Sequence, residues 1–222
     1  ELWKNLSANE PGYGPPMLYE IGGKKQVVYW HPEALNGLDP QTGKVLWSVP
    51  IRGQGGKKGG QGIRVGMTNA TPRLQGDKLF VTSFYEGSAM VQIKGGKAEQ
   101  LWRSKGRSEQ PDETEALHSI MVTPYWQEGY IYGVCSYGEL RCIAAADGDR
   151  KWSTHAPTTG KSTRWGNAFL TPIGDKMERF ILFNELGDLI LARLTPQKYE
   201  EISRVNILTP TNTMAQPRGR LV

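Results

Sequence analysis

The chain has little of the residues that most often carry catalysis or hold metals. It contains three histidines and two cysteines in 222 residues. His31, His118 and His155 stand far apart and outside the HExxH and Cys/His spacings of metal sites. No G-x-S-x-G nucleophile elbow occurs. These absences predict no metal site and no catalytic residue, and they favour a protein that is not an enzyme.

Long apolar runs and helical patterns are also missing. No apolar stretch is long enough to span a bilayer, and none repeats at helical spacing for three turns. Instead, β-branched and aromatic runs alternate with glycine turns. Three hairpins are predicted, namely Leu79–Ser83 with Ala89–Ile93, Ile131–Cys135 with Glu139–Ile143, and Phe180–Asn184 with Asp188–Ala192. The chain is therefore predicted to be all-β.

What the sequence does contain is a repeat. Each copy begins at a proline, passes through a turn glycine and usually closes on a tryptophan. The prolines are Pro16, Pro72, Pro124 and Pro172, with a fifth start at Pro217. The tryptophans are Trp3, Trp47, Trp102 and Trp152, and Ile202 takes the last slot. A period of roughly 45 to 55 residues indicates a propeller or a similar array.

The segment that closes each copy carries a family resemblance. Gly37–Trp47 contains Asp39 followed by Thr42-Gly43-Lys44, and Cys142–Trp152 has a related pattern. This pattern resembles the tryptophan-docking repeat of the PQQ-like, quinoprotein-type β-propellers. That family includes quinoprotein alcohol dehydrogenases and the outer-membrane assembly lipoprotein BamB. The second and fourth copies depart from the pattern. The resemblance implies four-stranded antiparallel blades, with Trp3, Trp47, Trp102 and Trp152 wedged between neighbouring blades.

The repeat predicts one propeller domain over residues 1–222. Its four blades are expected at about 14–51, 69–105, 121–154 and 169–205. Glu1–Trp3 looks like the tail of a preceding unit, and Thr213–Val222 looks like the opening of a following one. Since these pieces together supply too few strands for a blade, we expect an arc of a seven- or eight-bladed ring. The alternative is a small ring closed by pairing the two termini.

The two cysteines flank the predicted turn at 137–138. A two-residue turn there pairs Cys135 with Leu140 and Cys142 with Gly133. The thiols would then be diagonal on one face, about 7–8 Å apart, at or beyond disulfide reach. Free thiols are therefore predicted, and a shifted register is the alternative that would change this.

Charge is distributed by region around a formal net charge of +5. The basic insertion 52–64 could bind phosphate or an acidic partner, or it could be a flexible solvated loop. It lacks the interleaved aromatic residues that stack on bases, so no nucleic acid partner is predicted. An acidic stretch follows at 109–115.

Four residues stand just before the strands predicted to be innermost: Asn69, His118, Arg164 and Trp165. The innermost strand of a propeller blade lines the channel, so residues just before it surround one mouth. They could form a binding rim for a protein partner or a small polar ligand. Alternatively, they could satisfy loop backbone groups or pack locally.

Three classes of function remain open from the sequence. The favoured one is a non-catalytic platform that binds a protein or ligand, as the resemblance to BamB implies. The alternative is an oxidoreductase that uses PQQ and calcium on alcohols or sugars. Asn184-Glu185, Asp188 and Trp126 or Trp165 supply suitable residue types for it, without a recognisable arrangement. The third is a sensory or accessory domain of a larger exported protein.

No cofactor is predicted outside the oxidoreductase alternative, and a periplasmic or otherwise exported location is implied by the resemblance alone.

Overall fold

A computed structural model describes residues 1–8, 11–51, 68–85, 87–104, 110–135, 137–174 and 178–210. The basic insertion 52–64 and the fifth repeat start at Pro217 lie outside these residues. The described part of the chain consists of strands, turns and one short 3-10 turn at Pro111–Glu113. The all-β prediction is confirmed.

Sixteen strands form four separate antiparallel sheets of four strands, each arranged in chain order. Sheet one contains β1 (Met17–Ile21), β2 (Lys24–His31), β3 (Ala34–Leu38) and β4 (Val45–Pro50). Sheet two contains β5 (Arg73–Gln75), β6 (Lys78–Ser83), β7 (Gly87–Lys94) and β8 (Lys97–Arg103). Sheet three contains β9 (Tyr125–Gln127), β10 (Tyr130–Val134), β11 (Leu140–Ala144) and β12 (Arg150–Thr154). Sheet four contains β13 (Ala168–Ile173), β14 (Arg179–Asn184), β15 (Asp188–Leu194) and β16 (Tyr199–Asn206).

The three predicted hairpins are confirmed, as the central strand pairs of sheets two, three and four. β6 pairs with β7, β10 with β11, and β14 with β15, all antiparallel. In sheets two and three these strands are buried on both faces, whereas in sheet four they alternate between buried and partly exposed side chains. The outer strands alternate between buried and exposed side chains, as β4 shows.

The predicted pairing of the cysteines is wrong by one residue. Cys142 lies opposite Tyr132, not Gly133, and the Cys135 N–H donates to the Glu139 carbonyl at 2.8 Å. The turn is therefore one residue longer than predicted. Because side chains alternate along a strand, this shift places the two thiols on opposite faces of the sheet. Both cysteines are free, as predicted.

The core lies between neighbouring sheets, in three apolar clusters. Each cluster joins side chains from two consecutive sheets. Between sheets one and two the cluster includes Val28, Leu35, Trp47, Leu79 and Val91. Between sheets two and three it includes Phe80, Met90, Leu117, Ile131 and Ile143. Between sheets three and four it includes Tyr132, Leu140, Phe180, Leu182 and Ile190. The sheets are thus held face to face by apolar burial.

Three tryptophans connect one unit to the next through their indole N–H groups. Trp3 donates to the carbonyl of Pro40 at 3.0 Å, and Trp102 donates to that of Ala145 at 2.9 Å. Trp152 donates to a carbonyl of sheet four, that of Thr195, at 2.7 Å. Each acceptor lies in the turn between the third and fourth strands of the next sheet.

Trp47 is arranged differently. Its indole donates to Gln26 of its own sheet at 2.7 Å, and its ring covers Gly37. In sheet two the corresponding turn is the tight pair Gly95-Gly96, with φ of 59° and 77°. Such a two-residue hairpin has no wider turn that could offer a carbonyl to the indole. The degenerate second repeat therefore corresponds to a missing indole hydrogen bond between sheets one and two.

Candidate functional site

One end of the sheets carries the connections that enter sheets three and four, together with the hairpin turns beside them. We call this end the connector face and define it by residues 84–85, 110–124, 137–138, 155–167 and 185–187. Its parts contact one another. The Thr163 N–H donates to the Tyr137 carbonyl at 3.0 Å, and the Gln110 amide donates to the Tyr137 hydroxyl at 2.9 Å.

A stack of one cation and two aromatic rings lies on the connector face. The Trp165 ring is stacked on Phe84, with centroids 4.8 Å apart and planes 24° apart. The Arg164 guanidinium lies 4.5 Å from the Trp165 ring centroid and 5.7 Å from that of Phe84. Tyr85 meets Phe84 edge-on at 4.5 Å. Phe84 is fully buried, Trp165 and Tyr85 are half-buried, and Arg164 is exposed. The stack therefore presents its charged end to solvent.

The backbone around Trp165 is held in an unusual conformation. Trp165 has φ of +71°, a region that bulky residues rarely adopt. The Asn167 amide donates to the Trp165 carbonyl at 2.8 Å and to the Glu185 carboxylate at 3.1 Å. The Gly166 N–H donates to the Thr163 carbonyl at 3.0 Å. These bonds fix the loop on both sides of Trp165, as a strained residue requires.

His118 lies beneath this stack. Its Nδ1 is 3.0 Å from the Phe84 carbonyl, and since a carbonyl only accepts, Nδ1 carries the proton. Its backbone N–H meets the Cys135 sulfur at 3.2 Å. Burial, together with the charges of nearby arginines and against the opposing effect of the Phe84 hydrogen bond, lowers the pKa of His118 to about 4. The imidazole is therefore neutral at neutral pH, and its hydrogen bond to the Phe84 carbonyl helps to fix the position of Phe84.

Asn69 lies apart from this group, at the entry to sheet two. Its backbone oxygen is 3.5 Å from the point where a Cβ on Gly14 would stand. Its side-chain oxygen is buried and has no hydrogen-bond partner among the described residues. The structure thus joins His118, Arg164 and Trp165 through Phe84, and no described contact brings Asn69 to them.

The residues that the sequence did not single out are Phe84, Tyr85 and Tyr137. Phe84 and Tyr85 directly follow the predicted strand Leu79–Ser83 and resemble its continuation. An aromatic pair beside a turn glycine is a weak signal, because the same residues are common in cores.

A buried ionic group lies behind the connector face in sheet three. Arg141 has no exposed surface, and its Nε lies 2.5 Å from the Glu139 carboxylate. The other guanidinium nitrogens donate to the carbonyls of Ala116 at 3.1 Å and Pro111 at 3.2 Å. Through these two hydrogen bonds, the guanidinium fixes the connection that carries Ala116 and His118.

Glu139 is shared between two arginines. Arg150 lies 3.8 Å from the same carboxylate oxygen and donates to the Thr114 carbonyl. Burial alone would raise the pKa of Glu139, but the charge of Arg141 and the hydrogen bonds from Ser153 and Arg141 outweigh it. The pKa of this carboxyl is therefore lowered below its usual value, and the group is ionised at neutral pH.

One of the two carboxylates considered for redox chemistry, Asp188, is engaged within sheet four. Asp188 accepts hydrogen bonds from Asn206 at 3.0 Å and from Arg204 at 2.8 Å. The Asn206 hydrogen bond, with help from Asn184 and Arg204 against burial, lowers the pKa of Asp188. A carboxylate stabilised in this way is a weak base. Within the described ranges no group of three or more His, Cys, Asp or Glu residues is placed to hold a metal ion.

Comparison with known proteins places the fold. The family described as outer membrane protein assembly factor BamB matches residues 2–154. BamB from Moraxella catarrhalis is similar in structure, with a TM-score of 0.62 and 18% identity over 94% of this chain and 54% of that one. The chain thus spans about half the length of that protein. No curated protein matches the sequence.

Two alcohol dehydrogenases share the same architecture. Quinohemoprotein alcohol dehydrogenase from Comamonas testosteroni has a TM-score of 0.53 and 15% identity over 88% of this chain and 36% of that one. ADHIIG from Pseudomonas putida HK5 has a TM-score of 0.52 and 14% identity over 82% and 33%. At these identities the likeness concerns the fold. The predicted β-propeller with four four-stranded blades is confirmed. In the described part of the chain, no helix has the length and apolar character needed to cross a membrane.

Proposed function

Because the chain belongs to the family of the outer membrane protein assembly factor BamB, we propose that it is a non-catalytic propeller that binds a protein partner. The partner docks on the connector face, and the protein acts on the exported side of the membrane, as its family resemblance implies. The observation that carries this proposal is the stack of Arg164, Trp165 and Phe84. Arginine and tryptophan are enriched among the residues that contribute most to protein–protein binding.

The stack has the features of a prepared contact point. Arg164 is exposed while its guanidinium is oriented by the Trp165 ring. A guanidinium held flat in this way loses less conformational entropy when it pairs with a partner. Trp165 is fixed by the hydrogen bonds around it and by Phe84. The connector face thus offers an arginine and aromatic rings that need little rearrangement on binding.

The likeness to quinohemoprotein alcohol dehydrogenases makes a PQQ- and calcium-dependent oxidoreductase the second candidate. The residues considered for those groups are engaged with neighbouring protein groups, including Asn184, which donates to the Pro157 carbonyl, and Glu185, which accepts from Asn167. Asp188 is paired with Arg204 and Asn206. Trp126 packs against the core between sheets two and three, and Trp165 is stacked on Phe84. We therefore derive no step through PQQ or calcium and favour the platform.

Site-specific photo-crosslinking in cells tests the proposal. A benzophenone amino acid replaces Tyr85 on the connector face, and a control replaces exposed Lys25 beside the β1–β2 turn. We expect a protein to be captured from position 85 and not from position 25. The purified partner should then bind the Arg164→Ala variant at least about tenfold more weakly than wild type. The Lys25→Ala variant should bind like wild type.

Two results would count against the platform. Equal capture from both positions would remove the connector face as the docking surface. A stoichiometric quinone spectrum and dye-linked alcohol oxidation after addition of PQQ and calcium would favour the oxidoreductase instead.

A further inference from the structure

A cleft of about 490 Å³ opens between sheets two and three, apart from the Arg164 stack. Its lining comes from the end of β8, the connection before sheet three and the turn between β11 and β12. The lining residues are Arg103, Ser104, Glu115, Ala116, Asp147, Gly148, Asp149 and Arg150. A volume of this size lies within the range of about 300–1,000 Å³ that is typical of small-molecule sites.

The walls of the cleft are fixed by contacts behind them. Gly148 has φ of +81°, and the Trp102 ring is so close that a Cβ on Gly148 would lie 2.9 Å from it. Ala116 has φ of +50°, and its carbonyl accepts the Arg141 guanidinium at 3.1 Å. Arg150 is held by the Thr114 carbonyl. The cleft is therefore formed before any ligand arrives, which lowers the entropic cost of binding.

The lining carries charges of both signs. Arg103 and Arg150 are half-buried, whereas Glu115, Asp147 and Asp149 are exposed. A purely anionic ligand would be repelled by the three carboxylates, and a purely cationic one by the two guanidinium groups. A ligand that carries both charges can approach both sets without net repulsion.

The carboxylates differ in how far they are already engaged. Asp149 pairs with Lys151 at 2.8 Å, and Asp147 accepts the Asp149 backbone N–H at 2.9 Å. Glu115, in contrast, makes no hydrogen bond or ion pair within the described part of the chain. It is the carboxylate best able to receive an ammonium group.

We propose that this cleft binds a short zwitterionic peptide. The peptide carboxylate pairs with Arg103 and Arg150, and the peptide ammonium group pairs with Glu115. Both pairings are charge-assisted hydrogen bonds, which are stronger than neutral ones. The site is separate from the connector-face stack, and its ligand is a small molecule instead of a folded partner.

Isothermal titration calorimetry with trialanine tests this site. We expect saturable binding to the wild-type protein and binding at least about tenfold weaker to the Glu115→Gln variant. Glu20→Gln, which changes an exposed glutamate on sheet one, is the matched control and should bind like wild type. N-acetyl-trialanine lacks the ammonium group, so it should bind weakly and be insensitive to Glu115→Gln.

The carboxylate end is tested in the same way. Arg103→Gln should weaken the binding of trialanine, and trialanine amide, which lacks the carboxylate, should bind weakly and be insensitive to Arg103→Gln. Thermal unfolding of each variant establishes that the fold is retained. The proposal fails if trialanine shows no saturable binding at millimolar concentration. It also fails if the blocked and free peptides bind equally well, or if folded Glu115→Gln binds trialanine like wild type.

Discussion

Replacement of Arg141 by methionine removes the centre of the buried ionic group in sheet three. The change keeps most of the side-chain length but deletes the positive charge. It leaves the Glu139 carboxylate without its nearest partner, 2.5 Å away, and it frees the carbonyls of Ala116 and Pro111. Breaking a buried ion pair costs about 3–5 kcal/mol because an uncompensated charge stays behind. We expect a loss of this size in the free energy of unfolding.

Two features of the structure set this magnitude. Arg141 has no exposed surface, so water cannot replace the lost hydrogen bonds. Arg150 remains 3.8 Å from Glu139 and compensates part of the charge, which favours the lower end of the range. An exposed pair, Arg193 with Glu200 at 3.6 Å, provides the matched control. Arg193→Met should cost less than about 1 kcal/mol, as surface ion pairs usually do.

Urea unfolding at neutral pH, followed by tryptophan fluorescence, measures both variants. A loss for Arg141→Met no larger than that for Arg193→Met would refute the reasoning. The pH dependence gives a second check. The pKa of Glu139 is depressed in the folded state, so its stabilisation is present above its unfolded value of about 4.3 and is lost as the pH falls through the folded value. The difference between wild type and Arg141→Met should therefore shrink in acid.

Three further predictions concern the packing between sheets. Gly148→Ala places a Cβ 2.9 Å from the Trp102 ring at a φ of +81° and should lower stability by about 1–3 kcal/mol. Gly95→Ala, in open space, should cost less in the same thermal unfolding assay. The pKa of His118 is about 4 in the folded state against an ordinary value of 6.5, so below about pH 6.5 the unfolded state takes up a proton before the folded state does and the fold loses stability. About 3 kcal/mol of it is lost between pH 6.5 and 4, and His118→Gln should flatten that part of a stability–pH curve. Trp152→Phe deletes one interblade hydrogen bond and should cost at least about 1 kcal/mol in urea unfolding.

The strands were predictable because their signals are local. Alternating β-branched residues bounded by glycine define each central hairpin, and the structure pairs these segments as expected. The register near Cys135 was missed because it depends on turn length. One additional residue in the turn moves Cys142 opposite Tyr132 and sends the two thiols to different cores. A sequence pattern rarely determines the length of a turn to within one residue, although the register depends on that length.

The candidate site was predictable only in part. Arg164 and Trp165 were found from their position before an inner strand, a slot that the repeat defines. Phe84, which joins them to His118, comes from another sheet, so its role depends on a long-range contact. The same is true of Arg141, whose charge in a strand gives no indication that its partners are carbonyls of a distant connection.

The repeat and the proposed binding surface occupy different parts of the molecule. Trp3, Trp102 and Trp152 bond to turns between third and fourth strands, whereas Arg164 and Trp165 stand in a connection between sheets. Where the second repeat has lost its docking turn, Trp47 still packs in the core between sheets one and two, and the Tyr19 hydroxyl donates to the Pro72 carbonyl at the entry to sheet two. Connections can therefore vary while the blades keep their packing. This separation explains how one propeller architecture is compatible with both an assembly factor and dehydrogenases.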